Sequence, residues 1–405
     1  MTGFGFHAAP LAGHWINDPN GLVYAAGRYR LFVQHRADAP HFVVTGWARL
    51  SSDDLLHWEW DGEVLAASDE GFAYSGSIVA GTASCDRILE AWHTRHRADG
   101  DPRERQFVAQ SHDSGLTWSI PAGPHGPEGR NARDPFVFGH EGARHMLVAR
   151  PRDWFDAAGS SRIEMVSQCS NGEWSPAVDI GLDIPPDLLC EVPSLLRFGE
   201  KWALLASFVD RSADGAISWT GYWLGIFDGN IFVADQPAPT RLDLGPDFYA
   251  AIANLEVDWP AGRMLVGWAS SWATARQLAV PGGGSGGAIS MPRSVCVNGP
   301  MLDLAPIPAA SRHARSFSWP DKATLTIRSS MAELIVDFSL GSLLATRRGP
   351  AGWEWTCEHD DARICGDLLL FLDAGLIELF ISGIAMTIVL PGRDHCIEWN
   401  AHDRS

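Results

Sequence analysis

The stretch GHWINDPNGLVYAAGRYRLF, which runs from Gly13 to Phe32, sets a dense group of turn-forming residues directly before a β-prone run. Asn, Asp, Pro and Gly fill residues 17–21, and these residue types favour tight turns. Taken alone, the pattern predicts a hairpin connection followed by a strand. Whether Asp18 has a chemical role as well depends on the rest of the chain.

Short β-prone runs separated by Gly, Pro, Asp or Asn dominate the chain, and helical patterns are few. Closely spaced short strands are typical of sandwiches, barrels and propellers. Two segments, 51–60 and 111–120, resemble each other, because each has Asp in a turn, then Leu, then Trp. The second fits the S-x-D-x-G-x-T-W pattern of an Asp box, in which Asp binds backbone amides and Trp packs between strands. This weak repeat favours a propeller over a single barrel.

The length of 405 residues exceeds what one hydrophobic core usually holds, so two domains are expected. The composition changes near residue 300, where a Pro- and Ala-rich segment becomes basic. We therefore predict an all-β protein with a propeller over residues 1–300, a linker over 301–315 and a small β-sandwich over 316–405.

Charge and hydropathy narrow the possible partners. The formal net charge is −18, which disfavours nucleic acids and anionic membrane surfaces because both require clustered cations. The most apolar region, residues 368–390, is interrupted by Asp, Gly and Glu, and it predicts three short strands rather than a membrane span. The start of the chain shows no signal-peptide pattern, so a cytoplasmic location is expected.

The Cys and His residues predict no metal site and no cofactor. Seven cysteines are widely spaced without a CxxC pair, which argues against a zinc ribbon and against a disulfide framework. His93 and His96, in the segment HTRH, have no Cys/His cluster near them in the sequence. We interpret both as solvated surface residues rather than metal ligands.

Three carboxylates stand out by their neighbours: Asp18 in WINDPNG, Asp134 in NARDPFVF and Glu191 in LLCEVPSL. Each lies next to a Pro or one residue from it, and Pro restricts the backbone around such a side chain. The apolar runs that flank Glu191 predict a desolvated carboxyl that favours its protonated form, as a general acid requires. The structural alternatives are ordinary Asp-Pro turns and, for Glu191, a surface residue on an edge strand.

Seven short motifs resemble, in content and order, those of glycoside hydrolase family 32. This family contains invertases, sucrose-6-phosphate hydrolases, levanases, inulinases and related fructosyltransferases. The resemblance covers roughly residues 5–300 densely and the remainder loosely. The motifs are HWINDPNG (14–21), SGS (75–77), RDP (133–135), EVP (191–193), DFYA (247–250), GWASSW (267–272) and ISMPR (289–293).

The resemblance implies a five-bladed β-propeller followed by a β-sandwich. It also implies that Asp18 is the nucleophile, that Glu191 is the general acid and then the base, and that Asp134 binds fructosyl hydroxyls and stabilises the transition state. We expect the adjacent Arg133 to keep Asp134 ionised. Other positions that match the family's fructose pocket are Asn17, Asn20, Gln34, Trp47, Tyr74, Ser75 and Trp272.

The reaction so implied is hydrolysis of a terminal β-D-fructofuranosyl bond in sucrose or a short fructo-oligosaccharide, with retention through a fructosyl-aspartate. The partner is thus a small fructoside. Fructosyl transfer by the same site is one alternative. A non-catalytic fructan-binding propeller is another, although it would be expected to lack a carboxylate. A sialidase is disfavoured because it would need a Tyr nucleophile and an arginine cluster.

The sequence departs from the family pattern in four ways. Val192 stands where Cys is usual, for which we expect altered acid–base behaviour rather than lost activity. Arg49 stands where His is usual, so the contact that the resemblance implies for this position in the leaving-group subsite does not carry over to this chain. The Gly-rich residues 282–287 replace a loop that often carries Pro-x-Trp-Arg, which predicts a looser rim on the leaving-group side. The C-terminal domain is also shorter than usual.

Overall fold

The computed structural model describes residues 5–37, 45–68, 71–80, 88–151, 160–210, 217–254, 262–278, 287–319, 321–392 and 394–402. Strands dominate this part of the chain, which contains one α-helix, α1 (Trp272–Leu278), and one 3-10 helix (Pro308–His313). The all-β class expected from the short β-prone runs is confirmed.

Strands between residues 15 and 306 form five antiparallel sheets in the described part of the chain. The first two sheets contain β1 (Trp15–Ala25), β2 (Arg28–Arg36), β3 (Gly46–Ser52) and β4 (Glu59–Leu65), then β5 (Phe72–Ala80), β6 (Leu89–His96) and β7 (Glu104–Ser111). The third contains β8 (Arg133–His140), β9 (Ala143–Arg150), β10 (Arg162–Ser167) and β11 (Val178–Asp179).

The fourth and fifth sheets follow the same pattern of consecutive antiparallel neighbours. The fourth contains β12 (Leu188–Phe198), β13 (Lys201–Asp210), β14 (Ile217–Phe227), β15 (Phe232–Ala234) and β16 (Thr240–Arg241), the last paired with β14. The fifth contains β17 (Tyr249–Ala253), β18 (Met264–Trp268), β19 (Arg293–Asn298) and β20 (Met301–Pro306).

The first strands of the five sheets contact one another in a closed order. β1 contacts β5, β5 contacts β8, β8 contacts β12, β12 contacts β17, and β17 contacts β1 again. The five sheets therefore form a ring with one inner strand from each, an arrangement consistent with a propeller. We call these five strands the inner strands.

Each inner strand has a register irregularity near its N-terminal end. Asp134 (φ 61°), Val192 (φ 49°) and Ala250 (φ 53°) lie within three of these irregularities and adopt left-handed backbone conformations. A bulge bends its strand and changes the direction of a side chain. The repeated irregularities thus let the inner strands turn side chains away from the regular up–down alternation.

The turn predicted at residues 17–21 is wrong, because these residues lie inside β1. The register passes from Ile16 opposite His35 to Pro19 opposite Val33, so Asn17 and Asp18 fall within an irregularity. A bulged strand tolerates Pro, whose missing N–H then leaves no gap in the ladder. The same residue types that form turns here form a bulge.

The predicted Asp box is confirmed in its hydrogen bonds. Asp113 Oδ1 accepts from the amides of Leu116 and Thr117 at 3.0 and 2.8 Å, and Oδ2 accepts from the Thr117 hydroxyl at 2.6 Å. The ring of Trp118 packs edge-on against Phe32 of the first sheet, with centroids 5.8 Å apart. This turn on the second sheet therefore also joins the first two sheets.

The related segment 51–60 forms a similar turn that is one residue shorter. Asp54 Oδ1 accepts from the amides of Leu56 and His57 at 3.0 and 2.8 Å. Leu55 and Ser114 occupy corresponding positions, and both have positive φ angles, 68° and 63°. The weak sequence repeat thus corresponds to a repeated backbone conformation.

The described strands after residue 314 form two sheets that share one apolar core. One has the order β21 (Arg315–Trp319), β26 (Gly366–Asp373), β27 (Leu376–Ile381), β28 (Ile384–Val389). The other has the order β25 (Trp355–Asp360), β24 (Ser342–Arg348), β23 (Glu333–Ser339), β22 (Lys322–Arg328), β29 (Cys396–His402). The three strands predicted in the apolar region 368–390 are confirmed as β26, β27 and β28.

The connection between the ring and the two C-terminal sheets is shorter than the predicted linker, residues 301–315. Residues 301–306 form β20, which pairs along its whole length with β19 and completes the fifth sheet. The 3-10 helix and its flanking residues then lead directly to β21. The Pro-rich composition marks the short helix, whereas alternating apolar residues before it already belong to a strand.

Buried ionic contacts join the ring to the C-terminal sheets. Arg293 on β19 is fully buried, and its Nη1 lies 2.6 Å from Asp243 Oδ2 while its Nη2 lies 3.1 Å from Glu378 Oε1 on β27. Arg347 on β24 lies 2.6 Å from Asp247 Oδ2. Charges buried at this depth require partners, so these pairs fix how the two parts meet. Within the described residues, no helix is both long and apolar enough to cross a membrane.

Candidate active site

Asp18 presents a buried carboxylate with a donor on each oxygen. Ser75 Oγ on β5 donates to Oδ2 at 2.6 Å, and Asn17 Nδ2 donates to Oδ1 at 3.1 Å. Burial raises the pKa of Asp18 to about 6; the charge of Glu191 adds to this effect and the two hydrogen bonds oppose it. Asp18 therefore changes charge close to neutral pH.

A chain of amide hydrogen bonds fixes the surroundings of Asp18. Asn17 Nδ2 also donates to Gln34 Oε1 at 2.5 Å, Gln34 Nε2 donates to Ser75 Oγ at 2.7 Å, and Trp15 Nε1 donates to Asn17 Oδ1 at 2.9 Å. The structure thus brings together Asn17, Gln34 and Ser75 around the carboxylate, as the predicted set requires. Each amide is oriented by a partner, which preorganises the group.

Asp134, whose backbone is in a left-handed conformation, is held by one hydrogen bond from its own amide and one to its carboxylate. Its amide donates to Thr94 Oγ1 at 3.0 Å, and its Oδ2 accepts from the amide of Val192 at 2.9 Å. Burial and the charge of Glu191 raise the pKa of Asp134 well above its ordinary value, although Arg133 opposes them. Asp134 on β8 and Val192 on β12, both with positive φ angles, are therefore linked directly by a hydrogen bond.

Glu191 on β12 accepts two strong hydrogen bonds. Arg133 Nη1 donates to Oε1 at 3.0 Å, and Tyr249 Oη on β17 donates to Oε2 at 2.6 Å. The expected apolar surroundings are wrong: the flanking Cys190 and Val192 are buried in the core, while the Glu191 side chain is 22% exposed. Neighbouring residues on a strand point to opposite faces, so apolar flanks do not make an apolar pocket for the residue between them.

Arg133 pairs with Glu191 and Glu104, not with Asp134. Its Nη2 lies 2.8 Å from Glu104 Oε1, and its Nη1 lies 3.0 Å from Glu191 Oε1. Burial lowers the pKa of Arg133, but Glu104, Glu191 and Asp134 raise it above its usual value, so Arg133 stays charged. Arg133 lowers the pKa of Asp134, the direction expected, but burial and the charge of Glu191 outweigh this effect and leave the pKa raised.

Three further predicted binding residues lie at different depths. Tyr74 stacks on His96 with centroids 4.5 Å apart, and burial raises the pKa of Tyr74 to about 12. Trp47 is fully buried, and its Nε1 donates to the Tyr74 carbonyl at 3.0 Å. Asn20 is also fully buried, and its Oδ1 accepts from the Gly76 amide at 3.2 Å. Trp47 and Asn20 therefore contact the backbone of β5 around Tyr74.

Trp272 is half-buried at the first position of α1 and belongs to an aromatic group. Its ring lies 5.0 Å from that of Trp268 and 6.4 Å from that of Tyr249, centroid to centroid. Trp15, whose Nε1 donates to Asn17, packs edge-on against Trp268 with ring centroids 5.7 Å apart. The aromatic group therefore connects the surroundings of Asp18 with those of Glu191.

Residues 7–306 match the family model described as the glycosyl hydrolases family 32 N-terminal domain. The chain belongs to this family. Levanase from Bacillus subtilis (strain 168) is 30% identical over 312 residues, which cover 72% of this chain and 44% of the levanase. Extracellular exo-inulinase from Aspergillus awamori is 26% identical over 315 residues, which cover 66% of this chain and 57% of the exo-inulinase. The chain thus spans about half the length of these curated relatives.

Solved structures whose titles name glycoside hydrolase family 32 or a β-fructofuranosidase share the fold. The structure of β-fructofuranosidase from Schwanniomyces occidentalis complexed with fructosyl-erythritol has a TM-score of 0.79 at 19% identity, and the match covers 98% of this chain and 94% of that chain. The resemblance identified from the seven motifs is therefore confirmed.

Two residues that contact Arg133 or Glu191 in this family 32 chain, Tyr249 and Glu104, are not among the predicted site residues. Tyr249 belongs to the quoted motif DFYA, so its position was available although its contact with Glu191 was not. Glu104 is fully buried on β7 and pairs with both Arg133 and His96. It lies outside every quoted motif, and a charged residue at the start of a strand carries no signal of burial.

The solvated surface expected for the two histidines of the HTRH segment is wrong, because both side chains are largely or fully buried. His93 is fully buried on β6, and burial lowers its pKa to about 3. His96 is largely buried between Tyr74 and Glu104. Among the described residues, no three His, Cys, Asp or Glu side chains are grouped so that they could hold a metal ion.

Two of the positions that depart from the family 32 pattern, Arg49 and Val192, have defined contacts in the structure. Arg49 pairs with Asp61 at 2.8 Å and reaches the carbonyl of Ser114 at 3.4 Å, so it links the first sheet to the Asp-box turn. Val192 contacts Asp134 through its backbone amide, a contact that does not depend on the side chain. In the Gly-rich loop 282–287, residues 282–286 lie outside the described residues.

Proposed function

We propose that this chain is a glycosidase that removes a terminal β-D-fructofuranosyl unit from sucrose or a short fructo-oligosaccharide, with retention at the anomeric carbon. The observation that carries the proposal is the convergence of Asp18, Asp134 and Glu191 from three inner strands. Their mutual influence on the pKa values of Asp18 and Asp134 supports a common site. Two carboxyl groups are the usual requirement for breaking a glycosidic bond.

Asp18 is our candidate nucleophile. Ser75 and Asn17 hold its two oxygens, and Gln34 in turn orients both of these donors. A carboxylate fixed in this way attacks the anomeric carbon with little loss of conformational freedom. The C–O bond to the leaving group breaks as the fructosyl ester of Asp18 forms, and water later cleaves that ester.

Glu191 is our candidate acid and base. In the first step it gives its proton to the leaving oxygen, and in the second it takes a proton from the attacking water. Arg133 and Tyr249 donate to its carboxylate, which stabilises the ionised form that remains after Glu191 has given up its proton. Its partial exposure supports access for a leaving group and for water.

Asp134 is our candidate for binding fructosyl hydroxyls. A carboxyl with a raised pKa can either donate to a hydroxyl or accept from one. Asn17 and Gln34 supply further amide groups, whereas Tyr74 and Trp272 offer half-buried aromatic faces for the sugar ring. Trp47 and Asn20 support this set from behind, through the backbone of β5.

For the architecture, we infer that the five sheets of the ring are five propeller blades and that the two C-terminal sheets form a β-sandwich. The cyclic contacts of the inner strands and the single core shared by the two C-terminal sheets support this division. On this view the first domain ends with β20, at residue 306, rather than at residue 300.

A substrate panel tests the proposed reaction. Sucrose, raffinose, kestose, inulin, levan and sucrose-6-phosphate are incubated with the full chain, and released fructose and transfer products are measured. We expect fructose from sucrose and short fructosides. Oligosaccharides longer than the substrate would favour fructosyl transfer, and binding without turnover would indicate a non-catalytic fructan-binding protein.

Methanol distinguishes retention from inversion. Fructose interconverts its anomers in water, so the intermediate must be captured as a stable glycoside. With sucrose in aqueous methanol we expect methyl β-fructofuranoside, because two displacements restore the original configuration. Methyl α-fructofuranoside as the main product would contradict the covalent mechanism.

A further inference from the structure

Glu104 is a fully buried carboxylate that has no part in the roles proposed above. It opens β7 directly opposite His96 on β6. Its Oε1 lies 3.1 Å from His96 Nδ1 and 2.8 Å from Arg133 Nη2, and its Oε2 accepts from Arg133 Nε at 3.2 Å. Because a carboxylate oxygen can only accept, Nδ1 of His96 carries the proton in this contact.

The guanidinium of Arg133 is divided between two carboxylates. One edge, Nε and Nη2, meets Glu104, while Nη1 donates to Glu191 at 3.0 Å. A guanidinium is planar and rigid, so fixing one edge determines where the remaining nitrogen points. The geometry that Arg133 offers to Glu191 is therefore set by Glu104. The ionisable groups that face Arg133 are Glu104, Glu191, Asp134 and Tyr74.

His96 connects the same carboxylate to the other half of the site. Its ring stacks on Tyr74 with an interplanar angle of 12°. Tyr74 directly precedes Ser75, whose hydroxyl donates to Asp18. The backbone of Glu104 also pairs in both directions with Gly129, shortly before β8 begins at Arg133. Glu104 is thus anchored from both sides before it contacts Arg133.

We propose that Glu104, held by His96, is a positioning residue for acid–base catalysis. Glu104 fixes the orientation of the Arg133 guanidinium. Its negative charge also offsets part of the positive charge of Arg133, so that Arg133 binds Glu191 without strongly favouring its ionised form. This inference rests on the proposed function of Glu191. Glu104 itself touches no reacting atom.

The variant Glu104→Gln keeps an acceptor for Arg133 and removes the negative charge. The positive charge of Arg133 is then uncompensated and favours the ionised form of Glu191, so the acid is lost at lower pH. We expect the basic limb of the pH–rate profile on sucrose to move down by about one pH unit. We expect kcat on sucrose to fall about tenfold, and kcat on 4-nitrophenyl β-fructofuranoside, which needs little protonation, to fall about threefold or less.

Two further variants separate this role from simple structural support. Glu164→Gln removes another buried carboxylate, one that lies 2.6 Å from Arg150 and 2.8 Å from Arg162 on the third sheet. It should leave the profile and the ratio between the two substrates unchanged. His96→Asn keeps a donor to Glu104 and should retain most activity, whereas His96→Phe keeps the ring for Tyr74 and should shift the profile in the same direction as Glu104→Gln.

A crystal structure of Glu104→Ala gives a readout that does not depend on turnover. We expect Arg133 Nη1 and Glu191 Oε1 to separate beyond hydrogen-bond distance. An unchanged distance, or an unshifted profile in an active Glu104→Gln protein, would overturn the positioning role. Absence of fructose release by the wild-type protein would instead refute the proposed function, and the crystallographic comparison would still decide the role of Glu104.

Discussion

Asp18 is a buried acid whose neighbours donate hydrogen bonds but bring no positive charge directly to it. Its pKa of about 6 follows mainly from burial. A nucleophile must be ionised, so kcat/KM on sucrose should fall below about pH 6 with a slope that indicates one proton. The variant Asp18→Ala should have no measurable hydrolysis and form no methyl fructoside, while sucrose binding persists in calorimetry. Full activity in that variant would refute the nucleophile assignment.

The same burial makes Asp18 a cost to stability at neutral pH. Its pKa is higher in the folded protein than in the unfolded chain, so its contribution to stability is complete below about pH 4 and is lost as the pH rises through 6. We expect Asp18→Asn to raise the free energy of unfolding by roughly 1–2 kcal/mol at pH 7.5 and by much less at pH 4. Urea unfolding at both pH values measures this, with the exposed Asp235→Asn as a control that should show no such difference.

Tyr249 stabilises the charged form of Glu191 by donating its hydroxyl. Burial raises the pKa of Tyr249, so the hydroxyl keeps its proton throughout the working range. In Tyr249→Phe the ionised carboxylate loses a donor, and the basic limb of the pH–rate profile should move to higher pH by about half a unit to one unit. This direction is opposite to the one expected for Glu104→Gln. A shift in the same direction for both variants would contradict our account of how Glu191 is held.

Among the elements, the Asp-box turn is a structural device whose loss should spare the chemistry. Asp113 accepts from two amides and from the hydroxyls of Ser111 and Thr117, and the turn places Trp118 against Phe32. We expect Asp113→Ala to lower the free energy of unfolding by roughly 1–3 kcal/mol, with kcat and KM on sucrose unchanged below the melting transition. A matched change in the shorter turn, Asp54→Ala, should behave in the same way. A change of KM without loss of stability would point to a direct role in the site.

The elements also account for what sequence reasoning could and could not predict about the site. Regular strands were predictable because apolar and polar residues alternate along them. The motifs drew attention to Asp18, Asp134 and Glu191. The bulges were not predictable, because Asn, Asp, Pro and Gly favour a turn and a bulge alike. The partners of Arg133 depend on which strands become neighbours in the ring, so its pairing with Glu104 could not be derived from adjacency to Asp134.

In the whole molecule, Arg293 on β19 joins the ring to the C-terminal sheets, because its guanidinium pairs both with Asp243 of the ring and with Glu378 on β27. Its removal leaves Asp243 and Glu378 without their cation in the interior. We expect Arg293→Met to lower the free energy of unfolding by about 3–5 kcal/mol. The exposed pair of Lys201 and Asp235 is a matched control, and Lys201→Met should cost less than about 1 kcal/mol. Equal effects in urea unfolding would show that burial of the pair is not what matters.

Composition alone does not locate the boundary that we propose between the two parts of the chain. The Pro- and Ala-rich segment contains the 3-10 helix between β20 and β21. The preceding residues, 301–306, pair with β19 through their backbone, and backbone pairing leaves little trace in composition. The ionic contacts of Arg293 are also invisible to local sequence reasoning, because their carboxylates come from distant segments.

Closure of the ring by β17 against β1 has a consequence for how activity is acquired during folding. The first and last sheets are far apart in sequence, and contacts of this kind form late because a long loop must be closed first. Tyr249, the donor to Glu191, arrives only with that last sheet. A chain emerging from the ribosome would therefore bury many of its tryptophans in early hairpins before Tyr249 is in place and before the chain is active. In a refolding time course, recovery of sucrose cleavage should lag behind the change in tryptophan fluorescence. The delay between the two signals would measure how long the fifth sheet takes to pack against the first.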